Sequence, residues 1–397
     1  MNCFKGLLIP RVLLFLSFTA VFLNPLPLKA TGESEASSSA LAPVDHNGAP
    51  WRIAYLETRP FENYVATLAN MIMALHRMGW VKSIDGLPYA KGQLDAKVIW
   101  DWMARQQNEP YLKFLQDGFY TLDGLTKDQV NAKTDQLCHR IQESKDIDLL
   151  LVMGTQGAQK MAHYHLPVPI LAMSTSNAKE SGIVQGNEFS GDEHVWAHMD
   201  PYRYKRQIDI FYDIFKFKTL GVVMDPDLAG RSFAAIDDIL KTAKERNFKV
   251  VIENVQQPQK YGANKKQFAA DLEAAFARLA PRVDAVYLGL FIGNDQTQLA
   301  QELSPLIQRK IPVFAQQSSD VANGALISLA RQDFSGVGTF DATAMVRILK
   351  GESPGSIPQI YESSPNIMIN LDVAKQIGYR PRFDLLLGAD QIIKTSK

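Results

Sequence analysis

The sequence predicts an α/β protein with two lobes, each built on a doubly wound, mostly parallel sheet. Three observations carry this. The chain has 397 residues, and single hydrophobic cores stop growing near ~250–300 residues. Short runs rich in Val, Ile, Leu and Tyr alternate with amphipathic helical stretches from residue 51 onward. Those runs are apolar throughout rather than at every second position, as parallel strands covered on both faces require.

In chain order, Lys5 and Arg11 precede an uncharged apolar run over 12–23, and Leu28-Lys29-Ala30 ends on a small residue. Residues 1–30 therefore read as a secretory signal, which implies a periplasmic location. Retention as a membrane anchor is the competing reading, although the apolar run is shorter than the ~20 residues of a bilayer span. Cys3 lies before the apolar run, so it is not the acylated cysteine of a lipoprotein. Residues 31–50 are rich in Ser, Ala, Gly and Glu without apolar period and read as a flexible leader.

Strands are predicted over 52–57, 148–153, 169–173, 219–224, 249–254, 284–290 and 312–315. Helices are predicted over 61–78, 127–144, 156–165, 201–215, 231–247, 267–280 and 296–308. Segment 87–125 breaks the rhythm. It carries Trp100, Trp102, Tyr111, Phe114, Phe119 and Tyr120 in weak helical register. It is too long for an ordinary βα connection and is expected to be a helical elaboration of the first lobe. Cys138, between Val130 and Ile141 on one helix face, reads as a small apolar core residue. A single cysteine beyond the signal cannot form an internal disulfide.

Hydrophobic residues make up 46% and charged residues 21% of the chain, with a formal net charge of zero. That suits a soluble globular protein. It lacks the basic footprint of nucleic-acid binding, and no nucleic-acid partner is expected.

Open α/β sheets bind ligands beyond the carboxyl ends of their strands. This rule selects Glu57 and Phe61, then Thr155 and Gln156, then Ser174, Thr175, Ser176 and Asn177 in the first half. In the second half it selects Asp225 and Asp227, then Phe291, Asn294 and Asp295, then Gln316 and Ser318. Ser, Thr, Asp and Asn are also the ordinary N-caps of helices, which explains any single tip. Six polar tips in two halves of one chain would instead line both walls of an interlobe cleft. Helix N-termini with Thr155 and Ser174–Ser176 would hold an anionic or carbonyl end of a ligand. Asp225, Asp227 or Asp295 would take an amine, and Phe61 or Phe291 would cover an apolar body.

Chemistry beyond binding finds little support. His194 and His198 are four apart, but the Glu that follows the first His in a zinc helix is missing, so no metal is expected. No phosphate loop, Gly-x-Ser-x-Gly elbow or dinucleotide fingerprint is present. Neither enzymatic activity nor a cofactor is expected. The carboxylates at the tips, including Asp320, serve more simply as counter-ions for a ligand ammonium than as acid and base.

The stretch from Trp51 to the C-terminus resembles the substrate-binding proteins of ABC importers with the type I periplasmic-binding fold, in the group that includes tryptophan- and tyrosine-binding members. The likeness rests on DLLLVMGTQGAQ (148–159), VPILAMSTSN (168–177), TLGVVMDPD (219–227), KIPVFA (310–315), NGAL (323–326), RILKGESP (347–354) and INLDVAK (369–375). The chain departs from the group at Ser176-Asn177, where an Asp-Pro pair is usual, and at Gly293-Asn294-Asp295, where Thr-Asp-Asn is common. The resemblance implies three crossings between lobes, near 182–200, near Gly324 and near 353–358. The first lobe would then hold 51–190 and 325–350, and the second 191–324 and 358–397. It also implies a protein that captures an amino acid or similar small ligand and delivers it to the membrane permease of an ABC importer; a monomer is expected. A membrane sensor receptor or kinase is the alternative recipient.

Overall fold

A computed structural model describes residues 40–106, 109–258, 260, 263–291, 296–329, 334–362 and 366–394. The predicted signal over 1–30, with Asn294 and Asp295, lies outside them.

Strand β1 (Trp51–Glu57) leads to helix α1 (Glu62–Arg77) and α2 (Lys97–Ala104), then β2 (Leu112–Thr121), α3 (Lys127–His139), β3 (Leu149–Met153), α4 (Thr155–Ala162), β4 (Ile170–Met173) and β5 (Val195–Ala197). There follow α5 (Arg203–Phe215), β6 (Thr219–Met224), α6 (Leu228–Phe233), α7 (Ile236–Arg246), β7 (Lys249–Asn254), α8 (Lys265–Leu279) and β8 (Ala285–Leu288). The chain continues through α9 (Leu299–Glu302), α10 (Ser304–Gln308), β9 (Val313–Ala315), α11 (Ser318–Ala322), β10 (Ile327–Leu329), α12 (Ser335–Leu349), β11 (Ile367–Asn370), α13 (Leu371–Gln376), α14 (Phe383–Leu387) and β12 (Gln391–Ile393).

The strands form two sheets, ordered β2-β1-β3-β4-β5 and β12-β11-β10-β9-β8-β6-β7. All neighbours are parallel except β10 and β11, which pair antiparallel. Alternation along a strand sends side chains to opposite faces. In β1, Ile53 and Tyr55 join a core with α1, α2 and α12, while Ala54 and Leu56 join another with α3 and α4. In β6, Leu220, Val222 and Met224 pack with α5, α7 and α13, while Val223 packs with α8 and α9. Each sheet is thus covered on both faces, which is why its strands read as unbroken apolar runs.

Three expectations need correction. Segment 87–125 is not wholly helical: β2 is an edge strand paired with β1, with a register shift between Ile53 and Tyr55. Its aromatic residues suit a pleated surface as well as a helix. The Trp100 indole donates to the Leu115 carbonyl at 2.8 Å and fastens α2 to this irregular strand. The leader is not free over its last ten residues. The Leu41 and Val44 carbonyls accept from the indoles of Trp80 (2.9 Å) and Trp51 (3.0 Å), and His46 stacks on Trp51 with centroids 4.1 Å apart. The helix predicted over 231–247 is broken at Ala235, whose φ of 53° separates α6 from α7.

Sheet membership also moves the crossings. Strand β5 belongs to the first sheet, so residues 195–197 are not in the second lobe. Strand β10 belongs to the second sheet, so residues 327–329 are not in the first. The first crossing therefore follows Met199, and the second follows Leu329. The third leaves Ile360, which forms a bridge with Met199. Side-by-side crossings are hinge material for lobe closure.

After the second crossing, α12 returns to the first lobe and packs against α1. An added Cβ at Gly338 would meet the Asn70 carbonyl carbon at 2.3 Å and the Met71 nitrogen at 2.6 Å. A mid-helix glycine ordinarily loses to alanine; here only glycine admits the neighbouring backbone. Gly338→Ala is expected to lower stability by about 1–3 kcal/mol, the usual cost of overpacking, measured by urea unfolding. Equal or higher stability would show that the helices do not approach this closely.

Candidate functional site

The carboxyl ends of both sheets face one another across the interlobe cleft, and two cavities open there. The first encloses about 1170 Å³ counted out to its mouth. The start of α1 brings Phe61, Glu62 and Asn63 to it. The loop before α2 brings Tyr89 and Lys91, and the β4 tip brings Ser174, Thr175 and Ser176. His198 and Asp200 flank the start of the first crossing, and Arg203 and Tyr204 open α5; Leu290, Gln316, Gln317 and Ser318 also come from the second lobe, and Phe334 lies just ahead of α12.

Some of these polar groups are committed to the fold. Gln316 donates from Nε2 to the Phe233 carbonyl at 2.9 Å. Asp200 pairs with Arg206 at 2.9 Å. Others are uncommitted. The Thr175 hydroxyl is buried with no hydrogen-bond partner. Arg203 lies 5.4 Å over the Tyr204 ring and has no ion pair among the described residues. His198 contacts Asp341 through Nδ1 at 2.7 Å, while His198 Nε2 and Asp341 Oδ2 remain unpartnered. A buried polar atom without a partner costs about 1–3 kcal/mol, so Thr175, His198 and Asp341 each have a bond to offer a ligand. Ser174 adopts a left-handed φ of 52° at the cavity wall, local strain of the kind that concentrates at functional positions.

Glu62 reaches across the cleft, accepting from the Ser319 hydroxyl at 3.3 Å. Burial holds its carboxyl above the ordinary range. Beside it, burial, then the charges of Glu62 and Glu302, push Asp320 up to about 8.

The second cavity, about 1140 Å³ to its mouth, lies between the β1 and β3 tips and the β6 and β7 tips. Arg59, Lys127, Gln156 and Lys160 face it from the first lobe; Asp225, Asp227, Gln256 and Gln257 face it from the second.

Of the residues picked from the sequence, Phe61, Ser174, Thr175, Ser176, Gln316 and Ser318 line the first cavity. Gln156, Asp225 and Asp227 line the second. Four others line neither. Thr155 is buried and accepts from the Ser176 backbone N–H at 3.1 Å, so it joins two tips. Asn177 accepts from the Glu180 N–H at 3.2 Å in a local turn. Phe291 packs edge-on against Phe268, 6.0 Å between centroids. Glu57 is buried at the end of β1 and accepts from the Tyr55 hydroxyl at 3.1 Å. Glycine at 154 is required: its φ is 93°, and an added Cβ would sit 2.0 Å from the Tyr64 hydroxyl. The reading of strand tips did not find Glu62, Asn63, Tyr89, Lys91, His198 or Arg203. Glu62 and Asn63 directly follow a selected tip; Tyr89 and Lys91 come from a loop without periodicity. No group of three metal-ligating side chains occurs among the described residues. Cys138 is buried, which pushes its thiol up to about 12 and leaves it inert.

A family model described as ABC transporter substrate binding protein matches residues 121–393. A tyrosine-binding protein of Clostridioides difficile is 23% identical over 278 residues, covering 67% of this chain and 75% of its own length. Among solved structures, the ABC domain from Streptococcus pneumonia in complex with L-Trp superposes with a TM-score of 0.63 at 15% identity, covering 87% of this chain and all of its own. The ligand-free, open structure of a substrate binding protein with adhesive properties from Clostridium difficile gives 0.58 at 18% identity, with 87% and 100% covered. The structural likenesses place the fold among two-lobed, type I periplasmic binding proteins.

Burial, the largest effect, pushes Glu57 up to about 7, against hydrogen bonds from Tyr55 and Thr121 that favour its charge. The native state therefore holds a proton that the unfolded chain releases near pH 4.5. Stability falls as pH rises from about 4.5 to about 7. Glu57→Gln should reduce this dependence, leaving the share of Asp320, and stabilise the protein at pH 8 by on the order of 3 kcal/mol. Denaturant titrations at pH 5 and pH 8 test this, and an unchanged pH slope in the variant contradicts it.

Proposed function

The chain belongs to the ABC transporter substrate binding protein family, and we propose that it captures an amino acid or similar dipolar solute in the first cavity and presents it to the membrane permease of an importer. The family's described activity is binding, so the protein acts by capture and release rather than by turnover. The observation that carries the ligand class is one cavity holding an unpaired guanidinium, Arg203, and a carboxylate, Glu62, between aromatic walls.

Arg203 would take the ligand carboxylate, with the Thr175 hydroxyl and the β4-tip N–H groups as further donors. Glu62 would take the ammonium group. Phe61, Tyr89, Tyr204 and Phe334 would cover the body of the ligand, which makes aromatic amino acids the first class to test. The tyrosine-binding relative and the L-Trp complex support that choice. Closure about the three crossings would bring the walls together over the ligand. We further propose export through the signal at residues 1–30, which puts the protein on the membrane face where a permease accepts solute.

Isothermal titration with L-tyrosine, L-tryptophan and L-phenylalanine tests the reading. At least one should bind, and Arg203→Gln should weaken that ligand by about 2–4 kcal/mol, as loss of one partner of a buried charge pair does. Glu62→Gln should weaken it as well. A folded protein that binds no amino acid, or one whose affinity ignores Arg203, contradicts the assignment.

A further inference from the structure

The second cavity holds an unspent cation that the first does not need. Arg59 follows the β1 tip, and its Nε and Nη1 are buried without any hydrogen-bond partner. Among the described residues its guanidinium forms no ion pair. Holding two of the three guanidinium nitrogens of a half-buried arginine out of water without a counter-charge is costly. Lys160 beside it donates only to the neutral Asn131 side chain, at 2.8 Å. The first-lobe wall therefore presents uncompensated positive charge.

The facing wall is acidic, but most of its oxygen is used. Asp225 accepts from the Asp227 N–H at 3.2 Å and the Gln257 N–H at 2.7 Å, one bond to each oxygen. Asp227 caps α6 through Oδ1, which accepts from the Gly230 N–H at 2.6 Å. Asp227 itself is exposed and lines the cavity, and no side chain among the described residues donates to its Oδ2. The apolar contribution comes from Leu122, Leu125, Val130 and Pro258 with one ring, Phe233, where the first cavity has four, Phe61, Tyr89, Tyr204 and Phe334.

We propose that this cavity is a second ligand site, for a small, unringed dipolar solute that places a carboxylate on Arg59 and an amine on Asp227. A carboxylate suits Arg59 because a guanidinium fork binds it with paired bonds. A plain polyanion suits the cavity less, because its far end would meet Asp227. Because each end of the solute engages a different lobe, occupancy also holds the lobes together.

Titration calorimetry on the full chain tests this with β-alanine, 4-aminobutyrate and 5-aminovalerate, and separately with succinate and inorganic phosphate. At least one amino carboxylate should bind. Arg59→Gln should weaken it at least tenfold and Asp227→Asn should weaken it measurably, while Arg203→Gln leaves it within twofold. Conversely, Arg59→Gln should leave any aromatic amino acid bound at the first cavity within twofold. Should Arg59→Gln fail to fold, Arg59→Lys, which keeps the charge and loses the fork, should still weaken the amino carboxylate. The proposal is overturned if no amino carboxylate binds in an Arg59-dependent way. It is also overturned if Arg203→Gln removes the same ligand, which would make the cavities one site, or if succinate and phosphate bind more tightly than every amino carboxylate. Aromatic amino acid binding is scored on its own, so its failure is visible independently.

Discussion

The buried amide of Gln359 holds the edge on which the cleft depends. Its Oε1 accepts from the Ala197 N–H at 3.0 Å, and its Nε2 donates to the carbonyls of Gly186 and Asn187 at 3.3 and 3.2 Å. Its backbone carbonyl accepts from Met199 at 2.8 Å, and the Tyr361 N–H returns a bond to Met199 at 2.9 Å. One fully enclosed side chain thus completes the exposed edge of β5 and pairs the first crossing with the third. A buried amide left without these partners would lose several bonds at once. With the crossings fixed side by side, two parallel sheets face each other by their carboxyl ends, and every strand tip is delivered to the same cleft.

Within that cleft, the useful distinction is between polar groups the fold has consumed and those it has left open. Thr155, Asn177 and Asp225 sit at tips and have hydrogen-bonding residue types, but each satisfies a backbone N–H nearby. Arg203, Thr175 and Arg59 do not. The His198–Asp341 contact lies between these extremes: one atom of each is paired, and one is left bare beside the rings of Phe340 and Tyr361. This pair links the first crossing to α12, so groups with unmet bonds accumulate where the lobes join.

Electrostatics follow the same division. Glu57 and Asp320 are carboxyls whose burial outweighs their partners, so each holds its proton into the neutral range. Asp148 shows the opposite balance: Arg52 pairs with it at 2.7 Å and, with a backbone N–H, holds it below the ordinary range despite burial. That ion pair lies at the start of β1 and β3, at the end of the sheet away from the cleft.

The sequence by itself determined the parallel strands and their order of appearance, because a strand buried on both faces must be apolar throughout. The β6 and β7 runs, 219–224 and 249–254, coincide with the observed strands. It also determined that polar tips would gather at one cleft, since strand direction places them there. Tertiary structure alone decided which tips face a cavity. Thr155 and Thr175 are the same residue type at adjacent tips, yet one bonds to Ser176 and the other is left open, and this depends on neighbours distant in sequence. It also decided the fate of segment 87–125, where aromatic spacing fits strand and helix alike and pairing with β1 selects the strand. Sheet membership near the crossings was decided in the same way: β5 and β10 are three-residue strands, too short to carry a pattern and defined only by the strands beside them.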